Sequence, residues 1–169
     1  GYPEALADVE EAITDMTHIH ERLMQTGLSA ENAALLDQIE LDGHAYLDGF
    51  REAFALQSER NAVFEEQLSP SGAAARQALT EVIENAHGGG DLDTALAAAE
   101  AQQTLLLARV HVEEYLLNNQ ATVRDEAFHE IALANEQMNG LLRGLSSPSQ
   151  RALVAQAQES FAVYNDAFI

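Results

Sequence analysis

The chain has 169 residues, 47% of them hydrophobic and 6% aromatic with no Trp, and a formal net charge of −20. Every basic residue is Arg, so the acidic balance argues against nucleic acid and anionic membrane surfaces as partners. The absence of Cys excludes c-type haem attachment, thiolate metal sites and thiol nucleophiles.

Three prolines, few β-branched runs and a predominance of Ala and Leu predict an all-α chain packed over short side chains. Pro3 suits a first turn, so helix one is predicted from Pro3 to Thr26, with Gly27 stopping it. Helix two starts at Ser29 and is predicted to reach Leu68, about 55–60 Å at 1.5 Å per residue. Ser69-Pro70-Ser71-Gly72 reads as a turn, and helix three then covers Ala73 to Ala86. His87-Gly88-Gly89-Gly90-Asp91 breaks or kinks the chain before helix four, Leu92 to Leu117. Asn118-Asn119 ends that helix, helix five follows from Thr122 to Arg143, and helix six runs from the Ser146-Ser147-Pro148 turn to Ile169. No apolar run approaches the roughly 18 residues of a membrane span, and no signal peptide is visible.

An internal repeat is expected at an offset of 118 residues. It pairs Ile13 with Ile131, Leu23 with Leu141 and Ser29 with Ser147. It also pairs Ala34-Leu35 with Ala152-Leu153, and Tyr46-x-Asp48-x-Phe50 with Tyr164-x-Asp166-x-Phe168. The second copy is preceded by helix four and the first by nothing, so a further helix is expected before Gly1 and an extension after Ile169. The expected modules are residues 1–90 and 91–169.

Placing each helix at 100° per residue identifies polar residues inside apolar arcs. In helix four the arc is Leu105, Leu106, Val112, Leu116 and Leu117, with Arg109 at its centre. In helix five it is Ala127, Phe128, Ile131, Ala134, Met138 and Leu142, with Arg124 and Asn135 inside it. Tyr164 lies within the arc of helix six, Tyr46 within that of helix two and His20 within that of helix one. An Arg in an apolar seam is costly unless paired. Arg109, Arg124 and Tyr164 fall near one level, and two planar forked donors with a phenol suit a small carboxylate. Arg109, Arg124, Tyr164 and Asn135 are therefore the candidate ligand-binding residues. The competing reading is internal satisfaction: Glu113 stands four residues after Arg109, Arg124 can snorkel at a helix start, and Asn135 can fix bundle register.

Glu126-Ala127-Phe128-His129 has the Glu-x-x-His spacing of di-iron bundles, and Asp15-x-x-His18 is a weaker form. The helical wheel turns Glu126, His129, Asp15 and His18 away from the arcs, and a second proper pair is missing. No catalytic triad or phosphate loop presents itself, so no enzymatic activity, metal or cofactor is expected.

Leu105-Leu106-Leu107-Ala108-Arg109-Val110-His111-Val112-Glu113-Glu114-Tyr115-Leu116-Leu117-Asn118 is followed by a polar turn and an Ala- and Glu-rich helix. A Leu-x-Ser turn and a helix ending in Tyr164-x-x-x-Phe168 complete the pattern, and Tyr46-x-x-x-Phe50 fits the corresponding part of the other module. This order resembles the helical bimodular sensor domain of bacterial methyl-accepting chemotaxis receptors, and is similar to the periplasmic sensor of TorS-type histidine kinases. The resemblance implies an elongated antiparallel bundle of two stacked four-helix modules. It places the missing long helix before Gly1 and makes helices three and four one long element through the triple glycine. It further implies a periplasmic position between transmembrane helices outside this chain, a homodimer, and a small organic acid or amino acid held by arginines. Of these arginines only Arg109 lies within the matching motif. A periplasmic binding protein is the partner implied by the TorS likeness. The alternatives are a structural or protein-interaction helical bundle and a ferritin-like di-iron protein.

Overall fold

The computed structural model describes residues 2–169, with Tyr2 described by its backbone alone. It is an all-α helical bundle, and no strand occurs among the described residues. Six α-helices follow in order: α1 (Tyr2–Met24), α2 (Ala30–Val63), α3 (Ser69–Gly88), α4 (Leu92–Asn118), α5 (Ala121–Gly144) and α6 (Pro148–Phe168). The chain divides into two compact units, Gly1–Asn61 and Ala62–Ile169. The expected division at residue 90 instead coincides with the α3–α4 turn, inside the second unit.

The predicted turn at Ser69-Pro70-Ser71-Gly72 does not form. A π-helical segment, Phe64–Leu68, joins α2 to α3 without a break. Pro70 has no N–H, and its ring would clash with the carbonyl four residues back in a regular α-helix. The chain absorbs this by widening one turn: the Ser69 N–H donates to the Phe64 carbonyl, five residues back. The Ser71 hydroxyl donates to the Gln67 carbonyl at 2.5 Å and to that of Leu68 at 3.3 Å.

The triple glycine is a reversal, so α3 and α4 are not one long element. Gly90 adopts φ +78°, open to glycine at no steric cost, and Asp91 caps α4 by accepting from the Thr94 N–H at 3.1 Å. Across the resulting pair, the Gln102 amide donates to the Thr80 hydroxyl at 2.7 Å and to the Arg76 carbonyl at 3.1 Å. The caps of Thr94 hold the Asp91 carboxyl below its usual range. Its contribution to stability is therefore present above the ordinary Asp range and lost as pH falls through the lowered value. Asp91→Ala should lower the melting temperature at neutral pH and make little difference in strong acid, read by circular dichroism at both.

The second unit is a four-helix bundle with α3 and α4, α4 and α5, α5 and α6, and α6 and α3 as neighbours. Its core stripe repeats at helical spacing: Ala75, Leu79 and Val82 on α3; Ala101, Leu105, Ala108 and Val112 on α4. Ala127, Ile131, Ala134, Met138 and Leu141 of α5 meet Val154, Ala157, Phe161 and Tyr164 of α6. Arg151 closes the α5–α6 turn by donating Nη1 to the Leu142 and Leu145 carbonyls at 2.9 and 3.1 Å.

The first unit pairs α1 antiparallel with α2 through Glu10–Arg51, Thr17–His44 and His20–Asp37. Two helices cannot enclose a core. Leu47 is buried, while Ile19, Leu35, Ile39 and Tyr46 are exposed. Tyr46, expected inside an apolar arc, is 61% exposed. His20 is largely covered and satisfied, with Nε2 2.9 Å from Asp37 and Nδ1 3.0 Å from Glu40.

Two of the residues paired at the 118-residue offset occupy the same place in their hairpins. Ser29 and Ser147 both cap the second helix, accepting from Asn32 N–H at 3.3 Å and Gln150 N–H at 3.5 Å. The seams differ by an exchange of bulk. In the first hairpin a Cβ on Gly43 would collide with the Met16 side chain, whose Sδ lies 2.9 Å away. At the matching positions of the second, Ala134 stands for Met16 and the fully buried Phe161 for Gly43.

Candidate functional site

Arg109 is drawn toward the second unit's interior by its position on α4, one residue past Ala108 and four past Leu105, both in the core. Its side chain is 20% exposed. The Leu-centred arc predicted for α4 is rotated in the folded chain. Leu106 and Leu117 are exposed, while Ala98, Ala101 and Ala108 take the core face. Closely spaced helices favour the small side chain at the contact, which moves Arg109 from the centre of the arc to its flank.

Tyr164 of α6 is only 2% exposed and stacks on Phe161 with ring centroids 5.5 Å apart. Burial pushes its phenol well above the ordinary range; the Arg109 charge opposes this and the Glu113 charge adds to it. The three groups therefore sense one another electrostatically. The Arg109–Glu113 pair is loose, with Nη2 3.9 Å from the carboxylate oxygen. At that distance no hydrogen bond is made.

The third wall is backbone. A Cβ placed on Gly72 of α3 would lie 3.0 Å from both Cδ and Nε of Arg109 and 3.1 Å from Cδ2 of Tyr164. Gly72 thus lets Arg109 and Tyr164 lie against α3, one turn beyond the π-helical segment. Sequence reasoning missed Gly72 because it placed the residue in a turn. The Pro70-Ser71-Gly72 tripeptide carries the signal only once the helix is known to continue. Gly72→Ala should gain helix propensity but push Arg109 aside. The expected result is unchanged or slightly raised thermal stability, with weaker anion-induced stabilisation in the same melting assay.

Arg109 and Tyr164 are thus brought together, and the other two predicted residues are not. Arg124 is exposed; its Nε and Nη2 donate to Asp125 Oδ1 at 3.3 and 3.0 Å. The wheel misplaced it because Val123, buried one residue earlier, sets the inner face at the start of α5. Asn135 is half-buried beside the core residue Ala134, and none of the hydrogen bonds or ion pairs described for Arg109 and Tyr164 involves it.

The contrast with Arg51 shows what a satisfied arginine looks like in this chain. Arg51 donates Nη2 and Nε to Glu10 at 2.7 and 3.0 Å, with Asp48 3.6 Å from Nη1. Glu10 first, and Asp48 after it, raise its pKa further.

On the outer side of α4 and α5 a groove of about 570 Å³ is lined by His111, Thr122, Asp125, Glu126, His129 and Glu130. Glu126 and His129, the residues of the Glu-x-x-His pattern, are exposed there, outside the core. Among the described residues no group of three or more His, Asp or Glu side chains is arranged to hold a metal ion. Nor is any described helix long and apolar enough to cross a membrane. The chain matches no protein-family description and no curated protein sequence.

Proposed function

We propose that the second unit is the ligand-binding module of a sensor, taking a small organic anion between α3, α4 and α6. The observation that carries this reading is Arg109: a side chain only 20% exposed, its Nη2 3.9 Å from the Glu113 carboxylate, beside a buried phenol. A largely covered arginine held only by a long ion pair has donors to spare, and a bidentate carboxylate would use them.

Glu113 is about half-exposed, so it can swing toward water when an anion takes its place. The exchange would leave Arg109 with two short charge-assisted hydrogen bonds instead of one long ion pair. Because the walls belong to three helices, an anion favours whichever arrangement of α3, α4 and α6 lets all three approach it. It shifts the equilibrium between two helix arrangements by its difference in affinity for them. The resemblance to bimodular chemoreceptor and TorS-type sensors adds the setting: the extracytoplasmic part of a bacterial chemotaxis receptor or sensor kinase, with signal transduction by helix displacement.

The test is a thermal-shift screen of the chain against small mono- and dicarboxylic acids and amino acids. A specific ligand well above its Kd raises the melting temperature by mass action. Failure of every organic anion to do so, with the chain folded, would defeat the proposal and favour a structural or protein-interaction bundle.

A further inference from the structure

We propose that His20 is a proton-operated clasp of the α1–α2 hairpin, closed while the imidazole carries a proton on each ring nitrogen and loosened when one of them leaves.

The hairpin depends on its polar bridges because it has little else. Leu47 is its only buried residue among those described. Three bridges span the seam: Glu10–Arg51, Thr17–His44, and His20 with Asp37 and Glu40. The first keeps its charges throughout the neutral range. In the second, the Thr17 hydroxyl can donate or accept, so it suits His44 in either charge state. Only the third is sensitive to a single proton. The His20 Nε2 hydrogen-bonds Asp37 Oδ1 at 2.9 Å, and Nδ1 lies 3.0 Å from Glu40 Oε2. An ionised carboxylate only accepts, so each ring nitrogen needs its own N–H. Neutral histidine has one N–H, and either tautomer sets a ring lone pair against a carboxylate oxygen. The imidazolium has two. The three groups therefore hold together with one proton more than a neutral histidine brings, whichever atoms carry it.

The surroundings offer no substitute for that proton. The His20 side chain is 14% exposed and that of Glu40 24%, so little water reaches between them. One turn away along α1 stand Met16, Thr17, Leu23 and Met24, none of them charged. Glu21 and Arg22, next to His20 in the chain, are exposed. On α2, Asp42 is held along its own helix by the Gln38 amide at 2.8 Å, and His44 is paired with Thr17. Residues 1–61 carry 13 Asp and Glu against Arg22, Arg51 and Arg60 alone, so a positive ring in the seam also relieves self-repulsion. The contribution of the clasp is present on the acid side of the histidine range and lost as pH rises through it, about pH 6–8. That is the reverse of the Asp91 cap, which is lost as pH falls. The clasp rests on neither Arg109 nor any ligand.

The test is hydrogen exchange of the 169-residue chain at about pH 6 and about pH 8, corrected for the intrinsic effect of pH on exchange. We expect protection of the α1 and α2 amides to fall roughly tenfold between the two, and that of α3 to α6 to change far less. Glu40→Gln is the decisive variant. Its amide can accept from the ring or donate to it, so one ring N–H suffices and the hairpin should stay closed at both pH values. Glu21→Gln, which removes the exposed carboxylate beside His20 in the chain, should leave the pH effect intact. Nitrogen NMR of the imidazole counts the protons directly: two N–H groups on His20 at the lower pH and one at the higher. Equal protection of α1 and α2 at both pH values overturns the proposal. So does a pH effect that Glu40→Gln leaves whole, and so does a His20 ring with a single N–H at the lower pH.

Discussion

Arg109→Ala should abolish anion-induced stabilisation while leaving the bundle folded. An anion at about a hundred times its Kd stabilises the folded state by about 2.7 kcal/mol, which for a chain of this size is a rise of roughly 5–15 °C in Tm. The variant should show none of that rise. Its unliganded melting point should change little. The internal partner it loses is an i, i+4 pair at 3.9 Å with a half-exposed Glu113, a type of pair that contributes roughly 0.3–0.5 kcal/mol. A large fall in the unliganded melting point, with no ligand effect to lose, would instead identify Arg109 as a structural residue. Glu113→Gln supplies the opposite arm. Removing the resident carboxylate should tighten anion binding, and a variant that binds no anion at all would contradict the exchange of one carboxylate for another.

Phe161→Ala should produce the largest loss of stability from a single substitution in the second unit. Phe161 is fully buried, is the largest of the fully buried side chains, and supports Tyr164 by stacking. Removing a buried Phe costs about 3–5 kcal/mol, a fall of roughly 10–20 °C in Tm. Tyr46→Ala, at an exposed site, should shift the melting of monomeric chain by about 0.5 kcal/mol or less. Thermal unfolding followed by circular dichroism distinguishes the two. Comparable losses would mean that Tyr46 is covered in solution even in the single chain.

The sequence made the helices legible because apolar spacing, serine caps and glycine stops agree along most of the chain. Gly27, Asp91 and Asn119 all mark real ends, two of them through left-handed backbone at Gly27 and Asn119. Ser69–Gly72 was misread for a specific reason. Proline and glycine interrupt a regular α-helix, but here a five-residue π-helical segment just before Pro70 lets the chain continue without reversing. Arg109 and Tyr164 were legible because each interrupts an apolar stripe. Arg124 was not, because the first turn of a helix offers few apolar positions from which to fix its facing. The alanines were the deeper difficulty. Hydrophobicity ranks Leu106 and Leu117 above Ala101 and Ala108, whereas close helix packing places the alanines inside. Gly72 could not be read as part of the site at all, since its contribution is the absence of a side chain on a third helix.

The exchange of Met16 and Gly43 for Ala134 and Phe161 has a bearing on how such a chain drifts. The first hairpin sets Met16 on α1 against Gly43 on α2, and the positions 118 residues on carry Ala134 on α5 and Phe161 on α6, both fully buried. Filling Gly43 alone drives a methyl group into Met16, and trimming Phe161 alone opens a void. A side chain at Gly43 would therefore be felt across the seam at the flexible end of Met16.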